Sequence, residues 1–241
     1  MQKYFYTETN IKVPAVTTKQ MIEIDRIAIE ETGPNLYQMM ENAGRNLALT
    51  IMNKISEVSD PIIVILAGTG GNGGGGICAA RHLVNRNYNV KLTITDRSKL
   101  KEVPKKQLEI FENAGGKVID NLDGILADII VDTIIGYSLS NAPRGRSLQF
   151  IKWANSQKAQ KISLDVPSGV NSTTGEVYGE YFHTESTLTL ALPKTGLTEI
   201  KCGQLLLGDI GIPKIVYDEI GINYILPFKR KFIIPLCYKN K

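Results

Sequence analysis

The 241-residue chain predicts an α/β protein: a three-layer α/β/α sandwich with a mainly parallel sheet. Three observations predict it. Short β-branched apolar runs such as Ile62–Ala67 alternate with stretches of helical apolar spacing, an order that builds a parallel sheet with helices on its faces. One of those runs opens into a glycine-rich turn and then a helix. Two further runs carry a carboxylate, Asp132 and Asp165, at or near their carboxyl ends, where ligands gather in open parallel sheets.

In chain order, residues 1–16 are polar and aromatic without period and read as a loose arm. Thr17, Thr18, Lys19 and Gln20 form a helix cap, and Met21, Ile24, Ile27 and Ala28 mark one face of a helix that stops at Gly33-Pro34. A second helix starts near Asn35, with Leu36, Met39, Met40, Ala43, Leu47 and Ile51 at helical spacing. Its methionines read as core packing, whereas Glu41 and Asn42 are equally well read as exposed.

The strand Ile62–Ala67 is followed by seven glycines between Gly68 and Gly76, and helical spacing resumes at residues 77–84. Without Cβ atoms a backbone presses close to a ligand, and the first N–H groups of the next helix point at any phosphate there. The turn satisfies G-x-G-x-x-G from Gly68 to Gly73, and Asp96 closes the next strand where a ribose-binding acid sits in dinucleotide folds. A Walker loop is excluded, because Ile77 and Cys78 stand where Lys and Ser or Thr are needed.

Residues 90–95 read as a strand, 105–114 as a helix closed by Gly115-Gly116, and 117–120 as a short strand. Residues 127–135 are a strand interrupted by Asp132, and a carboxylate buried there needs hydrogen bonds, an ion partner or a cation. A polar loop through Arg144 leads to a helix over 147–157, with Phe150, Ile151 and Trp153 as core. The strand over 161–166 ends in Asp165 and is followed by Pro167-Ser168-Gly169. Beyond it, 171–179 is turn-rich, 187–192 an alternating strand reaching Pro193-Lys194, and 204–207 another. Residues 224–226 and 232–234 read as short closing strands, an antiparallel extension of the sheet.

Composition narrows the functional classes. With 43% hydrophobic and 22% charged residues the chain has the balance of a globular protein, and no linker divides it, so 1–241 reads as one domain. The net charge of +4 comes from a basic C-terminal tail, 228–241, which holds Lys229, Arg230, Lys231, Lys239 and Lys241 and no acid. The tail reads as a solvated end, and the near-neutral remainder speaks against a nucleic-acid groove. Cys78, Cys202 and Cys237, odd in number and far apart, suggest a reducing compartment without structural zinc. No apolar signal core or membrane-length run occurs, so a cytoplasmic location is expected.

Several segments together resemble the YjeF N-terminal family, whose enzymatic members are NAD(P)H-hydrate epimerases. They are MIEID, MMENAGRNLA, AGTGGNGGGGICAARHL, DTIIGYSLSNAPRG, SLDVPSGVNSTTG, LALPKTGL and GDIGIP, in the family's order across most of residues 17–213. The resemblance implies a Rossmann-like fold and epimerisation of hydrated NADH and NADPH (NADHX and NADPHX), with a separate NAD(P)HX dehydratase using the product. It also implies a bound potassium ion and a homodimer. Residue by residue, it implies potassium ligands at Asn72, Asp132 and Ser168 and a catalytic acid/base at Asp165. The implied substrate-binding positions are Gly71, Asn72, Gly73, Gly74 and Gly75, then Gly136, Tyr137, Ser138, Leu139, Ser140, Asn141 and Ala142, and Asp165 itself. Lys194 and Arg144 could approach a phosphate, but each reads more simply as a surface residue.

The chain departs from the family loop GNNGGDG, with Gly71 and Gly75 in place of an Asn and the Asp, and Ser138 stands where many members have glycine. The loss of a carboxylate leaves a second expectation open, a nucleotide-binding or scaffold module of the same fold with impaired catalysis. A third reading, a dehydrogenase, is supported by the glycine pattern and Asp96 but lacks a second catalytic domain.

Overall fold

The computed structural model describes residues 2–239. Strands β1 (Tyr4–Thr7) and β2 (Lys12–Pro14) precede helices α1 (Thr18–Ile27) and α2 (Leu36–Lys54). The repeating part is β3 (Ile62–Ala67), α3 (Gly71–Val84), β4 (Asn89–Ile94), α4 (Glu102–Asn113), β5 (Ile129–Thr133), α5 (Gly145–Ser156) and β6 (Gln160–Leu164). Then come β7 (Ser186–Leu190), α6 (Glu199–Cys202), β8 (Gln204–Gly208), α7 (Lys214–Glu219) and β9 (Ile233–Cys237). The strands form one nine-stranded sheet in the order β2-β1-β9-β8-β7-β6-β5-β3-β4. It is parallel from β4 to β8 and antiparallel from β8 through β9 and β1 to β2.

The pleat sorts the core into two faces. Ile63, Ile65 and Ala67 of β3 pack with Leu47, Ile51, Ile77 and Phe111 beneath α2, α3 and α4. Val64 and Leu66 point the other way, onto Phe150, Ile151 and Ala154 of α5. On that second side Leu205 and Leu207 of β8 share a cluster with Met21 and Ile24 of α1 and Val216 of α7. Both helix caps read from sequence are formed, Thr17 with Gln20 and Asn35 with Gln38, each as a reciprocal capping box.

Several local expectations are corrected. Residues 4–14 are an ordered hairpin rather than a loose arm, because Phe5 and Val13 are fully buried and Tyr6 pairs with Cys237 of β9; Met1 lies outside the described residues. The glycine stretch is helical from Gly71 rather than a turn to Gly76. A Cβ on Gly73, Gly74 or Gly76 would sit 2.0 Å from the Gly68 carbonyl oxygen, 2.4 Å from Met40 Sδ and 2.1 Å from Thr133 Oγ1. Helix α3 is therefore glycine-rich so that it can lie close on the sheet and on α2.

Residues 117–120 make a single bridge, Leu92 with Val118, instead of a strand. Residues 187–189 do not alternate, since Thr187, Leu188 and Thr189 are all buried between two covered faces. Tyr224 is a buried core residue outside any strand, and Trp153 is only partly buried. The segment expected as a solvated basic tail instead contains β9, paired with β8 and β1; Lys241 lies outside the described residues. No helix among the described residues is long and apolar enough to cross a membrane.

Candidate active site

The carboxyl ends of β3, β5 and β6 bring together the start of α3, Asp132 and Asp165, as parallel adjacency requires. Asp132 is fully buried, opposite Ser163 on β6 and Leu66 on β3. Its Oδ1 accepts from Ile134 N at 3.1 Å and Ser168 Oγ at 2.5 Å, and its Oδ2 from Ser168 N at 2.8 Å and Ser163 Oγ at 3.0 Å. Those four donors match the four lone-pair sites of a carboxylate. Burial nevertheless pushes its pKa up to about 6, against the pull of the Ser168, Ile134 and Ser163 hydrogen bonds.

Asp165 follows β6 in the left-handed region, with φ of 68°. That conformation costs about 1–2 kcal/mol outside glycine. Such strain is kept where the surrounding structure over-determines it, often at a functional site. Here it is held by Asp165 N donating to Leu188 O at 2.7 Å. The carboxylate accepts from Leu190 N at 3.3 Å and forms an ion pair with Lys194. Lys194 corrects the expectation of a surface lysine. It is 1% exposed, also donates to Leu190 O at 2.9 Å, and stands 5.7 Å from the Tyr137 ring centroid.

Tyr137 extends the cluster to a residue the sequence analysis did not single out. Its hydroxyl donates to Asp25 Oδ2 at 2.5 Å. Burial holds the Asp25 carboxyl above its ordinary range, opposed by the Tyr137 hydrogen bond and the Lys194 charge, while Asp165 adds to the rise. Burial, and then Asp25, raise the Tyr137 phenol well above its ordinary value. The Tyr137 backbone is pinned as well, since Ser172 Oγ donates to its carbonyl at 2.7 Å and pairs with Thr18 Oγ1 at 2.6 Å. A sequence signal for Asp25 existed: it lies four residues after Met21 and three before Ala28, on the buried flank of α1.

Of the glycine-loop residues, Gly71 is exposed and Asn72 half-buried, whereas Gly73, Gly74 and Gly75 are buried. Asn72 lies against Gly136, and its buried Nδ2 has no hydrogen-bond partner. Gly70 caps α3 without a side-chain bond, which leaves the first N–H groups of the helix without a capping side chain. In the following loop Gly136, Tyr137 and Leu139 are half-buried, and Ser138, Ser140, Asn141 and Ala142 are exposed. Ser140 and Asn141 bond to each other at 3.3 Å rather than to the acidic cluster. Arg144 is an exposed residue at the start of α5. Asp96 caps a short turn and pairs with Lys99, and the Ser98 hydrogen bond followed by Lys99 hold its pKa down to about 2.

A second polar cluster joins α2 to α3. Glu41, Cys78 and His82 bring three ligand atoms within 4.8 Å of one another, but Arg81 donates to both Glu41 oxygens at 2.7 and 2.6 Å. The positive charge there is a guanidinium. Glu41 is thus a tether between helices rather than a freely exposed residue.

Aligned parallel strand ends, a helix start without a side-chain cap and buried carboxylates between them define a Rossmann-like α/β protein. The chain belongs to the family described as YjeF-related protein N-terminus, whose profile matches residues 36–196. A protein of Dehalogenimonas lykanthroporepellens named NAD(P)H-hydrate epimerase is 48% identical over 236 residues, 96% of each chain. One of the same name from Rhodopirellula baltica is 33% identical, covering 88% of this chain and 90% of that one. The bifunctional NAD(P)H-hydrate repair enzyme Nnr of Moorella thermoacetica is 32% identical over 83% of this chain, which spans 41% of that longer protein. The crystal structure of yeast ynu0, YNL200c, has the same fold, with a TM-score of 0.80 and 23% identity over 92% of this chain and 99% of that one.

Proposed function

We propose that this chain interconverts the R and S hydrates of NADH and NADPH. One observation carries the reading: a chain matched over 96% of its length by an NAD(P)H-hydrate epimerase keeps a buried Lys194–Asp165 ion pair at the sheet edge where ligands bind. In the hydrate, C6 of the reduced ring bears a hydroxyl next to the ring nitrogen. The nitrogen lone pair forms a C=N bond as the C6–O bond breaks, and the hydroxyl takes a proton and leaves as water. Water adds to the opposite face, gives up a proton and regenerates the hydrate as the other epimer.

Asp165 is the group proposed to move that proton, and its negative charge stabilises the ring cation between the two steps. Lys194 is the positioning residue that holds the carboxylate. Gly71 and Asn72, with Gly73, Gly74 and Gly75 behind them, offer the helix start to the diphosphate. Residues 136–142 are the segment proposed to cover the ring end of the substrate.

Potassium is the proposed cofactor, with Asn72, Asp132 and Ser168 as its ligands. The residues fit a hard monovalent cation: all three offer oxygen, and turning over the buried, unpartnered Asn72 amide presents its carbonyl oxygen. Ser168 Oγ would turn from Asp132 to admit it. When bound, the ion would supply positive charge beside Asp132 and the substrate phosphates.

We also propose a cytoplasmic homodimer that works with a separate NAD(P)HX dehydratase. Three free cysteines support a reducing compartment. The greater length of the bifunctional relatives supports a partner activity.

The test is to incubate the full chain with S-enriched NADHX and follow the epimer ratio by chromatography, in potassium and in choline buffer. Acceleration over buffer that falls when choline replaces potassium is expected; no acceleration removes the reading. A binding-only module has one observation in its favour, the absence of a carboxylate at Gly75, where a Cβ would lie 2.9 Å from Leu164 Cδ2. Calorimetric binding of NADPH without epimerisation would select it.

A further inference from the structure

On the α2 side of the sheet, a groove of about 650 Å³ lies between α2 and strands β8 and β9. Its apolar floor is Leu206, Ile233, Leu49 and Phe232, the last 59% exposed. Around it stand Arg45 and Lys54 from α2, Arg86 after α3, and Arg230 and Lys231 before β9. No carboxylate lines the groove, and none of these five cations forms an ion pair among the described residues. The chain's net charge is only +4, so five unpaired cations on one concavity are a marked local concentration. None of Asn72, Asp132, Asp165 or Lys194 lines it.

We infer that this groove is a second ligand site, separate from the sheet edge, and that it takes a nucleoside phosphate. Three chemical features select that class. The groove is concave and within the roughly 300–1,000 Å³ range of small-molecule sites, whereas a protein partner needs a broad face of about 800 Å² on each side. Three of its cations are arginines, whose planar forks suit phosphate oxygens. The floor offers apolar surface for a base, and Arg45 already lies 5.5 Å from the Phe232 ring centroid, so the rim supports stacked planar groups. The site would also have a mechanical link to the sheet edge. Helix α2 presents Arg45 and Leu49 to the groove and, nearer its start, packs Met40 against Gly74 of α3.

The experiment is isothermal calorimetry of the full chain with ADP and, separately, with inorganic phosphate and polyglutamate, at low and raised salt. ADP binding that weakens with salt is expected. Arg45→Ala combined with Arg230→Ala should weaken it by about tenfold or more. Phe232→Ser should weaken ADP binding while leaving phosphate binding unchanged. Unfolding curves of the variants, expected to match the parent, separate lost contacts from lost fold. ADP binding that is absent, or indifferent to these substitutions, overturns the inference. Phosphate binding as tightly as ADP reduces the groove to an adventitious anion site, and polyglutamate binding without ADP binding reassigns it to an acidic protein; both outcomes also overturn it. Epimerisation by the groove variants is a separate readout, so failure here leaves the proposed activity untouched.

Discussion

Lys194 and Asp165 show what single residues contribute. Removing one member of a buried ion pair strands the other charge, so Lys194→Met should cost about 3–5 kcal/mol in urea unfolding and abolish epimerisation. Adding Asp165→Asn, a residue that tolerates the left-handed backbone there, should restore most of the stability but no turnover. Near-parental rates in the single variant would remove Lys194 from the mechanism. His82 sets a pH dependence. Its Nε2 lies 2.8 Å from Glu41, which on distance alone suggests an imidazolium. Arg81 already neutralises that carboxylate, and burial followed by the Arg81 charge hold the imidazole below its ordinary pKa. A depressed histidine binds protons more readily when unfolded, so its contribution is whole above the unfolded pKa of about 6.5 and is lost as pH falls below it. The parent should therefore lose stability between pH 7 and 5 more steeply than His82→Gln; equal slopes would contradict the assignment. Asp132 and Asp165 were legible because a carboxylate in or at the end of an apolar strand demands a partner, whereas Ser168 came from the family resemblance alone. Lys194 was not legible, since its partner stands 29 residues earlier.

At the scale of elements, α3 is where sequence rules and structure part. Each interior glycine costs a helix about 1 kcal/mol relative to alanine, so local propensity argues for a turn up to Gly76. Packing overrides it, because the helix must approach Thr133, Met40 and Gly68 more closely than a side chain allows. Gly76→Ala should therefore overpack the Thr133 contact and destabilise the protein by about 1–3 kcal/mol. A Cβ on Gly71 meets nothing within 4 Å. Gly71→Asn should change unfolding free energy by less than about 0.5 kcal/mol. If the family asparagine there contacts substrate, the same variant should lower KM for NADHX, and an unchanged KM would argue against that contact. The hairpin of β1 and β2 was hidden for a different reason. Strands of 4 and 3 residues carry too little period to read, and they are ordered by pairing with β9 from the far end of the chain.

For the molecule as a whole, the periodic order of strands and helices determined a mainly parallel layered sheet, and its carboxyl edge determined where Asp132 and Asp165 would meet. Strand pairing does this because parallel neighbours align their ends, so residues far apart in sequence share one rim. The order of motifs in the chain likewise carried the family, which the profile over residues 36–196 matches. Only the tertiary structure decided that Lys194 is buried against Asp165, that Tyr137 and Asp25 complete that cluster, and that the basic residues near β9 edge an apolar groove. The physical reason is the range of the interactions. Apolar period, caps and glycine turns act within a few residues and leave a local trace. Ion pairs, buried hydrogen bonds and grooves join segments whose proximity exists only after the sheet has formed.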